Sequence, residues 1–585
     1  MEKTLSPNML KGIAAAPGIA ISQTFLYTKE KEEVNDDFIL EADIDESLQI
    51  LDTALEQSKK ELRKIFNLAV DKLGEKRAAI FEAQIMILDD PVLIETIKKR
   101  IEKEKRVPEY IVDSEISKYT HLMNASSELY MKERSHDIED IKNRILRNLK
   151  KKKWKSRITN EVIVVTHNLS PSDTVLFSRA NVKGYVTDLG GLTSHAAIVA
   201  RSLNIPAVVG VHEVTNKIKD NDFIIIDGYQ GIVIINPTEE QLKQYTKKLE
   251  RVNKESEELM KLRSLPAETN DGKVIQLMAN LDLTDEMDFI ITNCAMGIGL
   301  VRTEQLFEEY EEFPDEEEQL HVYKKIAEQI YPRTVIIRAF DIGGDKVLPV
   351  DLHEPNPMLG WRGIRLLLDN PNLFKIQIRA VLRASEHKNI KFMIPMISSI
   401  DEVRKSRKLI EECKKELTKE GKHYDKNIQI GIMIEVPSAA VMAKEFVQEA
   451  DFISIGTNDL IQYSLAVDRG NDIVSGLYQE FHPAVIRLLN NVIKEGKKAG
   501  KMVSICGEMA ADPFAVPLLV GLGLESLSTS ASTIPFIKKV IRSLSHHDLK
   551  VLAEECLKLS SESEINTKLH DFFNHHIHDQ IKKMF

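Results

Sequence analysis

The sequence predicts a multidomain α/β protein that ends in a (β/α)8 barrel. Three observations lead to this prediction. The chain has 585 residues, which is too long for one core at about 150 residues per domain. A helical pattern between residues 40 and 149 interrupts a β-rich segment, and strands alternate with helices from residue 270 onward.

Composition narrows the class of protein. Hydrophobic residues make up 43% and charged residues 29% of the chain, as in ordinary globular domains. A net charge of −11 argues against nucleic acid or anionic membranes as partners and is compatible with a basic protein partner. The start of the chain lacks a signal peptide's apolar core, and no apolar run approaches the ~18 residues of a membrane span. The four cysteines form no CxxC pair, so we expect a cytoplasmic protein without membrane insertion. They are Cys294, Cys413, Cys506 and Cys556.

The N-terminal half reads as one α/β domain with a helical insert. Strand patterns occupy residues 12–28 and return after residue 160 in EVIVVTH, VKGYVTD, PAVVGV, FIIIDG and GIVIIN. Between them lie long amphipathic runs such as SLQILDTALEQSKKELRKIFNLAV. The predicted domain therefore comprises residues 1–29 plus 150–236, and the insert comprises residues 30–149.

A histidine stands where a glycine turn becomes a helix, in GGLTSHAAIVAR. Thr193 and Ser194 are good helix caps, which places His195 in the first helical turn. Free N–H groups and the helix dipole favour an anion there, including a phosphoryl group attached to the imidazole. A capped surface histidine is the alternative interpretation.

A connecting helix is predicted over residues 237–266. Asn236 can cap it, Pro237 suits the first helical position, and Glu239 lies three residues after the cap. Apolar residues recur at spacings of three and four, and Pro266 ends the pattern.

Residues 267–585 predict the barrel, with eight candidate strands separated by helical stretches. Active sites of such barrels lie at the carboxyl ends of the strands. Charged and polar residues stand at those ends, where a purely structural set would favour apolar ones. They are Arg302, Arg338, Glu435, Asn458, Asp459 and Cys506.

These residue types suit a small phosphate ester bound with a divalent metal. Arginines hold phosphate or carboxylate oxygens, and Arg469 is a third candidate after Arg302 and Arg338, with Arg362 a weaker one. Glu435 and Asp459 can hold Mg²⁺, and Mn²⁺ would fit the same oxygen ligands. Cys506 is either a packing residue or a proton donor.

Several motifs resemble Enzyme I of the bacterial sugar phosphotransferase system, a phosphoenolpyruvate–protein phosphotransferase. They run in the family's order over almost the whole chain. They are GGLTSHAAIVARS, GIGLVRTEQLF, DIGGDK, NPMLGWRGIR, GIMIEVPSAA, SIGTNDLIQYSLAVDRGN and CGEMA. The start directly at GIAAAPGIA favours Enzyme I of the sugar branch over a nitrogen-regulatory relative.

The resemblance implies a function for each part of the chain. His195 matches the histidine that accepts the phosphoryl group from phosphoenolpyruvate and passes it to the carrier protein HPr, which docks on the helical insert. The barrel would bind phosphoenolpyruvate with Mg²⁺ and form a homodimer. Glu435 and Asp459 match the metal carboxylates, and Cys506 matches the acid that protonates enolpyruvate. Further matches are Arg302, Arg338 and Arg469 for substrate, Asn458 for an amide contact, and Thr174 for orienting the histidine.

Two features depart from the family. Leu192 stands where Enzyme I usually has an arginine, which puts the charge balance around the histidine in question. The tail carries four histidines, which suit either a helical metal clip or a solvated tail. They are His570, His575, His576 and His578.

Two other functions remain as alternatives. A phosphoenolpyruvate synthase or dikinase shares the histidine domain and barrel, but it also needs a nucleotide-binding domain. The sequence contains no glycine-rich phosphate loop for such a domain. A non-catalytic regulator would sense phosphorylation without chemistry, and it would have no reason to keep both carboxylates, the arginines and Cys506.

Overall fold

A computed structural model of the chain describes most residues between 8 and 576. The described residues are 8–28, 34–73, 75–124, 129–151, 158, 161–169, 173, 177, 181–191, 197, 200–201, 205–282, 287–306, 313–343, 354, 356–469, 471 and 473–576, with side chains for all of these except 68–80, 124–137, 255–256 and 475. The chain divides into two units, Met1–Lys254 and Glu255–Phe585.

The first unit contains an eight-stranded sheet in the order β1-β8-β7-β3-β4-β5-β6-β2. Strands β3 to β6 run parallel to their neighbours within that set, and the outer pairs are antiparallel. The bounds are β1 Met9–Lys11, β2 Ile13–Ala16, β3 Ile19–Tyr27, β4 Val162–Thr166, β5 Val182–Thr187, β6 Ala207–Val209, β7 Phe223–Asp227 and β8 Ile232–Ile235.

Both faces of this sheet are covered, because successive side chains of a strand point to opposite sides. Val164 packs with Ala197 and Ala200 on one face. Ile163 and Val165 pack on the other, against the short helix α6 (Val214–Lys217). This explains why β4, in the middle of the sheet, carries four successive apolar residues (162–165) instead of alternating apolar and polar ones.

A helical layer is inserted between β3 and β4. Its core is formed by the apolar faces of long helices, among them Leu51, Leu62, Ile101 and Ile145. The bounds are α1 Ile44–Leu73, α2 Glu75–Leu88, α3 Pro91–Glu104, α4 Pro108–Asn124 and α5 Leu129–Leu149.

The predicted connecting helix is present as α7 (Glu239–Leu262), but its cap differs from the prediction. Thr238 Oγ1 accepts from the Gln241 N–H at 3.2 Å, and Gln241 Oε1 accepts from the Thr238 N–H at 2.9 Å. This reciprocal pair is a capping box two residues beyond Asn236. Asn236 instead has a positive φ of 46° in the turn that precedes the helix.

The second unit is a closed barrel of parallel strands, as the sequence predicted. Every neighbouring pair is parallel, and β16 closes onto β9. The strands are β9 Gln276–Leu281, β10 Gly297–Val301, β11 Thr334–Arg338, β12 Ile390–Ile394, β13 Ile430–Ile434, β14 Phe452–Ile455, β15 Met502–Ile505 and β16 Ser526–Ser530.

Helices follow the strands and bury an apolar face against them. They are α8 Met287–Thr292, α9 Glu316–Ile330, α10 Ile364–Asp369, α11 Pro371–Ala384, α12 Ile400–Lys419, α13 Pro437–Val441, α14 Ala443–Glu449, α15 Thr457–Leu465, α16 Pro483–Lys498, α17 Ala515–Gly521, α18 Ile534–Arg542, α19 His546–Cys556 and α20 Glu562–His576. Inside the barrel, Leu300, Ile336, Met393, Met433, Phe452 and Cys506 form a separate apolar layer. The carboxyl ends of the strands lie above this layer.

Candidate active site at the carboxyl end of the barrel

Arg338 is one of two buried arginines among those predicted, with 6% of its surface exposed. It ends β11, and its Nη2 donates to Glu304 Oε1 at 2.8 Å. Its Nη1 lies 3.4 Å from Asp341 Oδ2. Burial acts to lower the pKa of this guanidinium, but Glu304 and Asp341 together raise it above its ordinary value. The charge of Arg338 is therefore permanent.

Arg362 joins two carboxylates across the mouth of the barrel. Its Nη2 donates to Asp341 Oδ2 at 2.8 Å, and its Nη1 lies 3.5 Å from Asp459 Oδ1. The same Nη1 donates to the hydroxyl of Tyr463 at 3.2 Å. Gly363 makes this placement possible, because it has a φ of +56° and a Cβ there would lie 3.0 Å from Asp341 Oδ1. Arg362 is thus as central to the cluster as Arg338.

Glu435 is buried at the end of β13, with 1% of its surface exposed. Its Oε1 accepts from the Met396 N–H at 2.5 Å. Burial and then the charges of Asp459 and Asp341 raise the pKa of this carboxyl to about 8, against the opposing effect of Arg338 and Arg362. Asp459 lies in the first turn of α15, just after β14, so the two carboxylates follow the carboxyl ends of successive strands.

Glu435 and Asp459 fit a divalent cation by the chemistry of their donors. A buried carboxyl whose ionised form is disfavoured by neighbouring carboxylates gains from a bound positive charge. Mg²⁺ is usually held by one or two carboxylates, with water and substrate oxygens completing its coordination. Within the described ranges no group of three or more His, Cys, Asp or Glu residues is arranged to hold a metal. What the described site offers a cation is therefore a pair of carboxylates.

Two predicted substrate residues meet at Glu508, on the rim of the mouth. Asn458 Nδ2 donates to Glu508 Oε1 at 3.1 Å, and Asn458 Oδ1 accepts from the Glu508 N–H at 2.9 Å. Arg469 Nη1 donates to the same Oε1 at 3.2 Å. Arg302 stands apart from this group and is paired with Asp282, its Nη1 donating to Oδ1 at 2.8 Å. Both arginines are half exposed, so an incoming anion can replace their present partners.

Cys506 follows β15 and is buried at the base of the mouth, with 3% of its surface exposed. Burial raises the pKa of its thiol, and the nearby Glu435 carboxyl raises it further. Gly507 lets the chain turn away at once, because a Cβ there would lie 1.8 Å from Thr457 Oγ1. The protonated form of the thiol is therefore favoured. The Cys506 side chain belongs to the apolar layer inside the barrel.

His195, Thr174 and Leu192 lie outside the described residues, so the structure does not place the phosphohistidine prediction. The strand that leads to it, β5, ends at Thr187 and continues through Asp188. The Asp188 carboxylate accepts from the Thr215 N–H at 3.2 Å and lies 3.0 Å from His167 Nδ1. Thr215 and His167 hold the pKa of Asp188 below its ordinary value, although its burial acts in the opposite direction.

The histidine-rich tail forms the end of α20 as far as it is described. His575 and His576 are exposed, and each ring nitrogen Nδ1 lies near a backbone carbonyl one turn earlier. The His570 ring packs against the Phe514 ring at a tilt of 37°, with ring centroids 4.3 Å apart. His578 lies outside the described residues.

Family models match three consecutive stretches of the chain. A model described as the N-terminal part of PEP-utilising enzymes matches residues 11–134, the mobile domain of those enzymes matches residues 158–231, and their PEP-binding domain matches residues 256–546. Phosphoenolpyruvate-protein phosphotransferases of Bacillus sp. (strain S) and Geobacillus stearothermophilus are each 42% identical over 569 residues, covering 97% of this chain and 98% of the relative.

The chain belongs to the phosphoenolpyruvate-protein phosphotransferase family. The relative from Mycoplasma capricolum is 40% identical over 569 residues, covering 97% of this chain and 99% of its own length. An NMR structure of Enzyme I is similar to 42% of the chain at 42% identity, with a TM-score of 0.37, and that similarity covers 99% of the solved chain. The resemblance carried by the sequence motifs is confirmed.

Several residues of this family member's barrel mouth were not predicted to act. Asp341 and Glu304 hold the two buried arginines, and Arg362 was ranked below Arg469, which is more exposed. Asp341 comes three residues after β11, and Glu435 comes directly after β13, so a position close to the end of a buried strand was a usable signal. Arg362 gave no such signal, because it lies in a loop far from the end of any strand.

Proposed function

We propose that this chain takes the phosphoryl group of phosphoenolpyruvate onto its own His195 and passes it to the carrier HPr, as the first step of sugar uptake. The observation that carries the proposal is the charged cluster at the barrel mouth, in a chain whose relatives are named phosphoenolpyruvate-protein phosphotransferases. Three buried carboxylates and two buried arginines in one mouth are costly for stability alone, which favours a binding role.

Binding of phosphoenolpyruvate uses the arginines. Arg302 and Arg469 are half exposed and exchange their present carboxylate partners, Asp282 and Glu508, for oxygens of the substrate. Arg338 and Arg362 stay bound to Asp341 and hold two fixed positive charges beside the site where the phosphate and carboxylate groups come in. Asn458 adds a neutral donor on the rim.

Glu435 and Asp459 would hold Mg²⁺, or Mn²⁺, which when bound supplies positive charge for the phosphate oxygens. The chain's own contribution to the chemistry is a nucleophile and an acid. The neutral imidazole of His195 attacks phosphorus, and the thiol of Cys506 gives its proton to C3 of the enolpyruvate that remains. Phosphoryl transfer needs mainly alignment and charge neutralisation, which the arginines provide.

HPr and a second copy of the chain are the proposed partners. The helical insert exposes large apolar side chains, including Met86, Val92 and Leu122, which suit a protein surface. We propose HPr as its occupant and the barrel as the dimerisation unit. In the part of the chain that is described, no helix combines the length and apolar character needed to cross a membrane.

The test uses phosphoenolpyruvate with a labelled phosphate, Mg²⁺ and no nucleotide. The full chain should acquire label that is labile in acid and stable in base, and it should pass this label to HPr. His195→Ala should acquire none while keeping its fold, as checked by circular dichroism. A requirement for nucleotide would indicate a dikinase, and an unlabelled wild-type chain would indicate a regulator.

A further inference from the structure

The thiol of Cys506 has two hydrogen-bond partners inside the barrel. Ser454 Oγ donates to Sγ at 3.4 Å, and Sγ donates to the carbonyl oxygen of Ile455 at 3.7 Å. Ser454 is fully buried, with 0% of its surface exposed. A buried hydroxyl costs free energy unless it makes a hydrogen bond. The hydrogen bond to Cys506 Sγ is therefore what makes the Ser454 hydroxyl tolerable in the barrel interior.

Strand geometry puts this hydroxyl beside the sulfur. Ser454 and Ser504 are partners in the parallel pair of β14 and β15, and both point into the barrel with Cys506 two residues beyond Ser504. The Ser504 hydroxyl donates to the carbonyl oxygen of Ile453 at 3.3 Å. Two serines of the same layer therefore differ in their acceptors, which are a thiol for one and a backbone oxygen for the other.

The groups around the sulfur act on its proton in opposite directions. Burial raises the pKa of the thiol most, and Glu435 raises it as well. The Ser454 hydrogen bond lowers it, as do the charges of Arg338 and Arg302 at the mouth. Of these groups only Ser454 makes a hydrogen bond to the sulfur itself.

We infer that Ser454 is a positioning residue for proton transfer at Cys506, because its hydroxyl stabilises the thiolate left when the thiol protonates the substrate. The inference rests on the proposed function, in which Cys506 is the acid. The S–H bond breaks and its electron pair stays on sulfur. The electron pair of the enolate forms the new C3–H bond, and the C2–O bond becomes the carbonyl of pyruvate. Water then returns a proton to the sulfur.

The reverse of this step offers a direct measurement. With Mg²⁺ present, the full chain in D2O should exchange the methyl protons of pyruvate, which ¹H NMR follows. Ser454→Ala should slow this exchange and kcat about tenfold, the size of one hydrogen bond to a charged group. The KM for phosphoenolpyruvate should stay within about twofold, since Ser454 makes no contact with the arginines that bind it.

Ser504→Ala is the matched control, because it removes an equal hydroxyl from the same layer and should leave the exchange rate unchanged. Ser454→Cys fills the same space with a weak donor, so its rate should lie close to that of Ser454→Ala. This second variant keeps the test valid if the alanine variant does not fold. Melting temperatures verify that each variant is folded.

The outcomes separate this inference from the proposed function. If Cys506→Ala abolishes exchange but Ser454→Ala behaves like Ser504→Ala, the role inferred for Ser454 is wrong, while the assignment of Cys506 as the acid is supported. If Ser454→Ala raises KM and leaves kcat and exchange unchanged, the serine only packs. If Cys506→Ala still exchanges pyruvate at the parent rate, the assignment of the acid is wrong, and the inference goes with it.

Discussion

At the scale of single residues, Glu435 is a deeply buried carboxyl group whose ionised form is disfavoured by neighbouring carboxylates. Its pKa is raised to about 8, chiefly by burial and then by Asp459 and Asp341. The unfolded chain has the ordinary value near 4.5. Between these values the folded state binds more protons than the unfolded state, so this group's contribution to stability falls as the pH rises.

Glu435→Gln should therefore stabilise the metal-free protein by an amount that grows from pH 5 to pH 9. Glutamine keeps an oxygen for the Met396 N–H and carries no charge to bury. Thermal unfolding in EDTA at several pH values measures the difference between variant and parent. Glu386→Gln, at an exposed position of the same unit, is the control. A difference that shrinks as the pH rises would contradict the prediction.

The same substitution should raise the Mg²⁺ concentration needed for labelling from phosphoenolpyruvate, because one anionic ligand is lost. Asp459→Asn should act in the same direction. We expect an increase of tenfold or more, by analogy with the loss of groups that support a metal site. Titration of initial labelling rates with MgCl2 measures it, and unchanged half-saturation in both variants would remove this pair from the metal site.

Arg362→Met should raise the KM for phosphoenolpyruvate by about tenfold to a hundredfold. The change keeps much of the side chain's volume but leaves Asp459 without this guanidinium and Asp341 with Arg338 alone, so more negative charge at the mouth repels an anion. Arg365→Met removes an equal charge three residues away, in the first turn of α10, where Nη1 donates to the backbone oxygens of Leu359 and Gly360. Steady-state kinetics should show a larger KM for Arg362→Met than for Arg365→Met. Equal KM values in the two variants would mean that only the net charge matters.

At the scale of elements, the helix α7 shows how a cap is selected. Asn236 and Pro237 carry a helix-start signal, yet the helix begins after Thr238. The turn that follows β8 holds Asn236 with a positive φ, and its N–H is bonded to the Phe223 carbonyl at 2.8 Å. Tertiary hydrogen bonding at Asn236 therefore moves the cap to the next residue that can form a capping box.

Thr238→Ala should loosen the first turn of α7 by about 1 kcal/mol, the usual cost of losing a cap. Asn236→Gly should leave it unchanged, because glycine accepts a positive φ without strain. Hydrogen exchange of the amides in residues 239–242 of the full chain measures both. A larger increase in exchange for Asn236→Gly than for Thr238→Ala would restore the original prediction of the cap.

At the scale of the whole molecule, the chemistry is divided between two units. The arginines and carboxylates that we propose for substrate and metal lie in Glu255–Phe585, while His195 belongs by sequence to Met1–Lys254. Each unit has its own hydrophobic clusters. This division predicts that one half-reaction survives without the other.

A fragment of residues 1–262, which keeps all of α7, should exchange phosphoryl groups with phosphorylated HPr and take none from phosphoenolpyruvate. The reason is that the fragment lacks Arg302, Arg338, Glu435 and Asp459. Labelling with either donor measures this, with the His195→Ala fragment as the control for specific transfer. A folded fragment that labels itself from phosphoenolpyruvate and Mg²⁺ would contradict the division.

The sequence by itself determined the strands and helices of the barrel, and it determined that charged residues lie at the carboxyl ends of the strands. Eight apolar strand patterns, each followed by helical sequence, are enough to predict a barrel, because burial on both faces demands continuous apolar runs. Arg302, Arg338, Glu435 and Cys506 were predicted for the same reason, since a polar residue directly after a buried strand lies at the mouth. These signals are local, and they extend over a few residues.

Only the tertiary structure decided which of these residues act on one another. Arg362 and Asp459 are 97 residues apart in sequence and 3.5 Å apart in space. Ser454 and Cys506 are 52 residues apart and are brought together by the register of two parallel strands. No pattern within a single element contains such a pairing, because barrel closure and strand register fix it through contacts between distant segments. The pKa of Glu435 depends on the same contacts, and so does the pair of carboxylates that we propose as a metal site.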